Sequence, residues 1–222
     1  MVNIEPLVGL IPAAGKARRL KRVGYTDIKE LECYAGVPVI NNAIENLLSS
    51  GIEKLVIVVR EGKQDLVDHI NRAYGDENIV FSFQDGPIGN LRDAICAAKS
   101  QIDNSKVLMQ LGDTALKPLP FLTLPSSDKT LLLHCFRTTQ KEASLYGTID
   151  TQNKQVIDKP TKPSSTLCWG AITWPADFTN HLQKYDQLTD ALNSYSFEYK
   201  ENISEYIDIG TEILSGHNPT MS

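Results

Sequence analysis

Cysteine is scarce in this chain and poorly spaced for cross-linking. Among 222 residues only Cys33, Cys96, Cys135 and Cys168 occur, far apart and without a C-x-x-C pair. That spacing supports neither a disulfide framework nor a structural zinc site, so buried reduced thiols are expected. His69, His134, His181 and His217 are equally scattered and match no metal-ligand spacing. No Ser or Cys stands in a nucleophile motif, which leaves acyl transfer without support. No apolar run approaches the roughly 20 residues of a membrane span. The N-terminal "MVNIEPL" lacks the pattern of a secretory signal. The expected location is therefore cytoplasmic, with no membrane partner. An excess of positive charge is missing too, the formal net charge being −5. Proteins that coat nucleic acid need a broad basic surface, so no nucleic-acid partner is expected.

What is present reads as an ordinary globular composition with 41% hydrophobic residues, enough for a substantial core. Strand and helix signals alternate through the first half. Leu7–Ile11 is an apolar run ended by Pro12, and residues 39–50 put Ile40, Ala43, Ile44, Leu47 and Leu48 on one helical face. Gly51 follows as a helix stop. "KLVIVVR" at 54–60 reads as an interior parallel strand. Residues 64–74 read as a helix, 79–84 as a strand, 90–101 as a helix, and 106–113 as a strand entering a turn. Such alternation implies βαβ units and a parallel sheet covered on both faces. Further on, 130–136, 144–150, 154–159 and 167–174 look like strands joined by short turns, followed by helical patterns near 176–184 and 187–194. The expectation is α/β with a mixed, mostly parallel sheet. One domain over 1–222 is expected, with parts at about 1–115 and 116–222.

Against the acidic average, "LIPAAGKARRLKRVGYTDIKEL" gathers Lys16, Arg18, Arg19, Lys21 and Arg22 behind the first strand. A glycine turn there sits at the carboxyl edge of the sheet, where its N–H groups and basic side chains can meet phosphate. Neither G-x-G-x-x-G nor the Walker sequence is present, which argues against a dehydrogenase and a P-loop NTPase. A solvated basic loop with no ligand is the competing reading.

The later stretches decide between them. "IPAAGKARRL", with Lys29 ten residues after Arg19 in "IKEL", resembles the signature of nucleoside-triphosphate:sugar-1-phosphate nucleotidyltransferases. "GVPVI", "QDGPIGN", "LGDT", "LYGTID", "DKP", "WGAITW" and "YIDIGT" continue the resemblance in order along nearly the whole chain. The departures are Ala17 for a loop glycine, Arg18 for a threonine, Ile28 for a proline and Asp158 for a glutamate. The resemblance implies a three-layer Rossmann-like fold and a Mg²⁺-dependent reaction of a nucleoside triphosphate, dTTP or UTP, with a sugar 1-phosphate. A homo-oligomer is left open. No regulatory extension is expected after "YIDIGTEIL".

By that resemblance Arg19 and Lys29 are the catalytic cations. Ala13, Ala14, Gly15, Gln84 and Gly89 face the nucleotide. Gly147, Asp158, Lys159 and Gly170 belong to the acceptor, and Asp113 and Asp208 to the metal. Asp208 has a competing role as a helix N-cap, and Lys159 as part of a polar hairpin. Three other readings stay open. A glycosyltransferase would usually carry D-x-D, which is absent here. A non-catalytic binder of nucleotides or nucleotide sugars need not keep the cations and carboxylates together. A non-sugar acceptor, such as choline phosphate or a phosphonate, would change the substrate and, with CTP, the donor.

Overall fold

Five of the six residues in Leu7–Pro12 are buried, and they form the strand at the middle of the sheet. The computed structural model describes residues 5–17, 20, 28–75, 78–86 and 89–215. In chain order the strands are β1 (Leu7–Pro12), β2 (Cys33–Tyr34), β3 (Val37–Pro38), β4 (Lys54–Val59), β5 (Ile79–Phe83), β6 (Lys106–Gln110) and β7 (Thr114–Lys117). They continue with β8 (Leu131–Arg137), β9 (Gly147–Asp150), β10 (Gln155–Asp158), β11 (Leu167–Trp174), β12 (Phe197–Glu201) and β13 (Glu205–Asp208). The α-helices are α1 (Ile40–Leu48), α2 (Gln64–Tyr74), α3 (Leu91–Ala97), α4 (Lys99–Ile102), α5 (Phe178–Leu182), α6 (Leu188–Asn193) and α7 (Ile209–Leu214).

Among the described residues, nine strands make one sheet, with a path of β10-β9-β11-β6-β1-β4-β5. β8 joins it beside β11, and β12 beside β8. β6, β1, β4 and β5 run parallel, while β11 is antiparallel to β6, β8 and β9. The sheet is thus mixed, with its parallel half in the first part of the chain.

Strand alternation sends neighbouring residues to opposite faces. Leu10, Val56, Val58 and Met109 pack with Ile95, Trp174, Phe178 and Leu188 on one side. Ile11, Leu55, Ile57 and Leu108 pack with Ile40, Ile44, Leu66 and Ile70 on the other. Helices therefore cover both faces, giving three layers. Among the described residues no helix is long and apolar enough to cross a membrane.

The 90–101 helix is interrupted at Ala98, whose N–H reaches back only three residues to Ile95 O at 3.1 Å. β12 was not foreseen. Its Phe-Glu-Tyr-Lys-Glu sequence alternates, but it is largely exposed at a sheet edge and lacks the apolar density of the inner strands.

His134 on β8 is fully buried. Asn202 donates through Nδ2 to its Nδ1 at 3.1 Å, leaving Nε2 to donate to Thr173 Oγ1 at 2.9 Å. Burial holds its pKa down to about 4. The unfolded chain takes up this proton near pH 6.5 and the folded chain only near 4, so unfolding becomes easier as pH falls through that window. The loss is on the order of 3 kcal/mol. Urea unfolding at pH 7 and pH 4 should show this dependence in the wild type and not in His134→Gln; equal dependence in both would assign it to another group.

Candidate functional site

The chain leaves β1 for β4 and β5 on one side and returns to β6 on the other. At such a switch point the carboxyl ends of parallel strands diverge and a crevice opens. A cavity of about 440 Å³ lies there, lined by Ala14 and Gly15 after β1, Arg60 after β4, Gln84 after β5, and Leu111 and Asp113 after β6. Its opposite wall comes from the antiparallel half: Tyr146, Gly147, Asp158, Lys159 and Trp169, with Thr189, Tyr206 and Asp208. Basic side chains of Lys16, Lys29, Arg60, Arg92 and Lys159 share the lining with the carboxylates of Glu30, Asp113, Asp158 and Asp208.

The Asp113 turn is held by a buried amide network. Gln110 is fully buried; its Nε2 donates to Asn42 Oδ1 at 3.1 Å and to Thr114 O at 3.2 Å. Asn42 Oδ1 also accepts from Leu116 N at 2.9 Å. Gly112 lets the turn settle on α1 and β1, because a Cβ there would stand 2.9 Å from Ile40 and 3.0 Å from Ile11. β7 then pairs with β13 in a two-stranded ribbon with Asp208 opposite Thr114. Ile209 N donates to Asp113 O at 3.1 Å, so segments far apart in sequence come to adjoin. Asp208 Oδ1 accepts from Thr211 N at 2.9 Å. The N-cap role is therefore real, and the same residue still lines the cavity.

Lys29 opens a 3-10 turn, Lys29–Leu31. Its Nζ forms an ion pair with Asp113 Oδ2. Burial works against the ammonium, but the carboxylates of Asp113, Glu30 and Asp208 outweigh it and raise the Lys29 pKa above the usual lysine range. Burial likewise opposes the Asp113 carboxylate, and Lys29 reverses that, holding its pKa below the usual range. Behind Lys29, Lys63 Nζ donates to Glu30 Oε2 at 2.5 Å in a second, deeper pair. Removing one partner of such a buried pair costs about 3–5 kcal/mol. Among the described residues no three His, Cys, Asp or Glu side chains form a metal cage, so any cation here would have a two-carboxylate set.

After β5, Gln84 is buried, with 8% exposure. Gly89 is packed so closely that a Cβ would lie 2.6 Å from the Gln84 amide nitrogen. Asn90 starts α3 with a reciprocal capping box: Asp93 N donates to Asn90 Oδ1, and Asn90 N to Asp93 Oδ2, both at 3.1 Å. Ala13 is 1% exposed and lies under the cavity wall rather than on it. On the far side, Lys159 follows β10 with φ +45°, and its N–H donates to Tyr146 O at 3.0 Å. Gly147 faces the Trp169 indole, and a Cβ would fall 2.1 Å from Nε1. Gly170 is not on the wall. It makes room for the Tyr206 ring, 2.9 Å from where its Cβ would be, and that ring stacks on Phe136 at 3.8 Å.

The fold thus brings Ala14, Gly15, Lys29, Gln84, Gly89, Asp113, Gly147, Asp158, Lys159 and Asp208 to one cavity. Arg19 lies outside the described residues, as do Arg18, Lys21 and Arg22. Sequence reasoning passed over Glu30, Arg60, Tyr146, Trp169 and Tyr206. Trp169 carried a signal, a tryptophan beside a glycine in a strand, that reads equally well as core.

A sequence profile of the nucleotidyl transferase family matches residues 8–213. The chain is 27% identical to a UTP–glucose-1-phosphate uridylyltransferase of Haloferax volcanii, over 92% of this chain and 85% of that protein. It is also 27% identical to a UTP–glucose-1-phosphate uridylyltransferase of Streptococcus pyogenes, over 83% of this chain and 77% of that protein. Among solved structures, a Bacillus anthracis protein described as a glucose-1-phosphate thymidylyltransferase superposes with a TM-score of 0.83 at 19% identity, covering 97% and 96% of the two chains. A UDP-glucose pyrophosphorylase complexed with UDP-glucose superposes with a TM-score of 0.73 at 22% identity, covering 92% and 94%. These superpositions are likenesses of fold.

The close approach at Gly147 has a measurable consequence. Gly147→Ala should lower stability by about 1–3 kcal/mol through overpacking against Trp169, read from the urea midpoint. An unchanged midpoint would show that the indole yields freely.

Proposed function

Because the chain belongs to the nucleotidyl transferase family, we propose that it joins a nucleoside triphosphate, UTP or dTTP, to a sugar 1-phosphate and releases pyrophosphate. The observation that carries this reading is the meeting, in one cavity, of a glycine turn, the Lys29–Asp113 pair, a buried glutamine and Lys159. The names of the Haloferax and Streptococcus relatives support UTP and glucose 1-phosphate as the first pair to try.

In this reading Ala14 and Gly15 turn backbone toward the nucleotide, with Ala13 beneath them, and the Gln84 amide both donates to and accepts from a pyrimidine edge. Gly89 admits the base to that amide. Asp158, Lys159 and Gly147 meet the acceptor, Lys159 on its phosphate, while Gly170 acts from behind by seating Tyr206. An acceptor phosphate oxygen attacks the α-phosphorus. The new P–O bond forms as the bond to the bridging oxygen breaks, and pyrophosphate carries away that electron pair. Both reactants are polyanions, so placement and countercharge carry the rate. Lys29 supplies a permanent positive charge beside the α-phosphate, and Arg19 is assigned the leaving phosphates.

Asp113 and Asp208 offer oxygen only, on adjoining backbone, which fits a cation such as Mg²⁺ that takes one or two carboxylates plus phosphate oxygens. When bound, the ion would neutralise part of the phosphate charge. The Lys29 ammonium would be displaced from Asp113 Oδ2 by an ion that takes that oxygen, and its obvious new partner is the phosphate itself.

Pyrophosphate release, screened over four triphosphates and a panel of sugar 1-phosphates with and without Mg²⁺, tests the reading. Turnover is expected with UTP or dTTP, and EDTA should abolish it. Lys29→Met should lower kcat by about 10²–10³, the cost of losing one donor that acts in the transition state, and Asp113→Asn should lower kcat and weaken its dependence on Mg²⁺. Tight triphosphate binding without turnover on any pair would instead make this a binding protein.

A further inference from the structure

Two charged side chains with no part in the chemistry above lie next to Lys29 and out of water. Glu30 is 1% and Lys63 4% exposed, and they bond to each other at 2.5 Å. A buried ion pair adds little net stability over apolar side chains of similar volume, so stability alone does not account for one here. Its position does.

Successive residues of a 3-10 turn point about 120° apart. Lys29 accordingly reaches the Asp113 turn after β6, while Glu30 reaches Lys63 on a different wall. Lys63 is itself firmly seated. Its N–H donates to Arg60 O at 3.3 Å, and its carbonyl accepts from Leu66 N at 3.1 Å and Val67 N at 3.2 Å, where α2 begins. The three-residue turn is therefore pinned on two sides, to the end of β6 through Lys29 and to the β4–α2 connection through Glu30. The first of these ties is the one the proposed reaction gives up when Lys29 turns to a phosphate. The second lies too deep to be exchanged for substrate.

We propose that the Glu30–Lys63 pair is a positioning device that keeps the 29–31 turn in place, and the Lys29 ammonium aimed into the cavity, once Lys29 has released Asp113. The assignment rests on the reaction proposed above. Burial pushes the Glu30 pKa up and the Lys63 pKa down, so the two groups depend on each other for their charges. Removing one would leave the other unpaired. Removing both leaves an uncharged but unpinned turn.

The test compares wild type, Glu30→Gln, Lys63→Met and the double variant. The single variants are expected to melt at lower temperature. The double variant should recover most of the wild-type midpoint. In the double variant kcat for pyrophosphate release should stay 10- to 100-fold below wild type, with the KM for triphosphate changed less than threefold. Wild-type kcat in a folded double variant would overturn the proposal, as would a loss confined to KM. A second readout does not need turnover: hydrogen exchange at Leu31 and Glu32, whose amides donate to Ile28 O and Lys29 O, measured with UTP and Mg²⁺ present. Exchange there should be at least tenfold faster in the double variant than in wild type. Equal exchange would overturn the pinning role even if the reaction proved to be a different one. A wild type without turnover but with faster exchange in the double variant would overturn the reaction and keep the pin.

Discussion

β1 and β6 lie side by side and parallel in the middle of the sheet, and the contents of the cavity depend on that adjacency. A parallel pair forces both chains to exit at the same edge. The Ala13–Gly15 segment and the Asp113 turn therefore emerge together, with Gly112 N reaching Pro12 O at 3.4 Å. The strands have no freedom to slip, because a shift of one residue would exchange Leu10 and Ile11, or Leu108 and Met109, between two different helical layers. Core packing thus sets the register, and register sets the distance between the glycine turn and the aspartate.

Charge is arranged on that frame in alternation. Running inward from the Asp113 turn, the order is Asp113, Lys29, Glu30, Lys63, each close enough to influence the next. A cavity cannot simply be lined with lysines, since buried unpaired cations would give up their protons. Alternation gives each of these lysines a carboxylate partner in the folded chain, Asp113 for Lys29 and Glu30 for Lys63. In the reaction proposed above, a phosphate reaching the cavity would compete with Asp113 for Lys29.

Most of the parallel half was legible because β1, β4 and β6 are buried on both faces and read as apolar runs, with β4 the clearest case, while β5 was read from its alternation. The loops at its carboxyl edge were legible from the order and spacing of short motifs, Lys29 and Asp113 above all. The β7–β13 ribbon was not legible. Thr114–Lys117 is a four-residue strand in a separate two-stranded sheet, and its partner is far away in sequence. The resemblance implied that Asp208 and Asp113 share a metal, but no local pattern in the sequence shows the ribbon that makes them adjoin. Lys63 was invisible for another reason: in "REGKQD" it looks like a solvated turn residue, and only the fold shows it reaching inward to Glu30. Charged residues in polar surroundings read as surface until a partner from another segment is found.

Ala17 and Lys159 hold a left-handed backbone conformation without being glycine. Ala17 stands where the resemblance has a glycine, and its φ is +45°, in the left-handed region that glycine enters without penalty and other residues enter at about 1–2 kcal/mol. Lys159 has the same φ of +45°, and there the bond from its N–H to Tyr146 O holds the turn. Such strain persists where the surroundings over-determine it, and Ala17 packs against the cluster of Leu20, Val39 and Ile209. At Lys159 the consequence is direct. An extended backbone at that residue would swing its N–H away from Tyr146 O and break the bond, so the strained conformation is the one that keeps the turn after β10 closed beside the cavity wall.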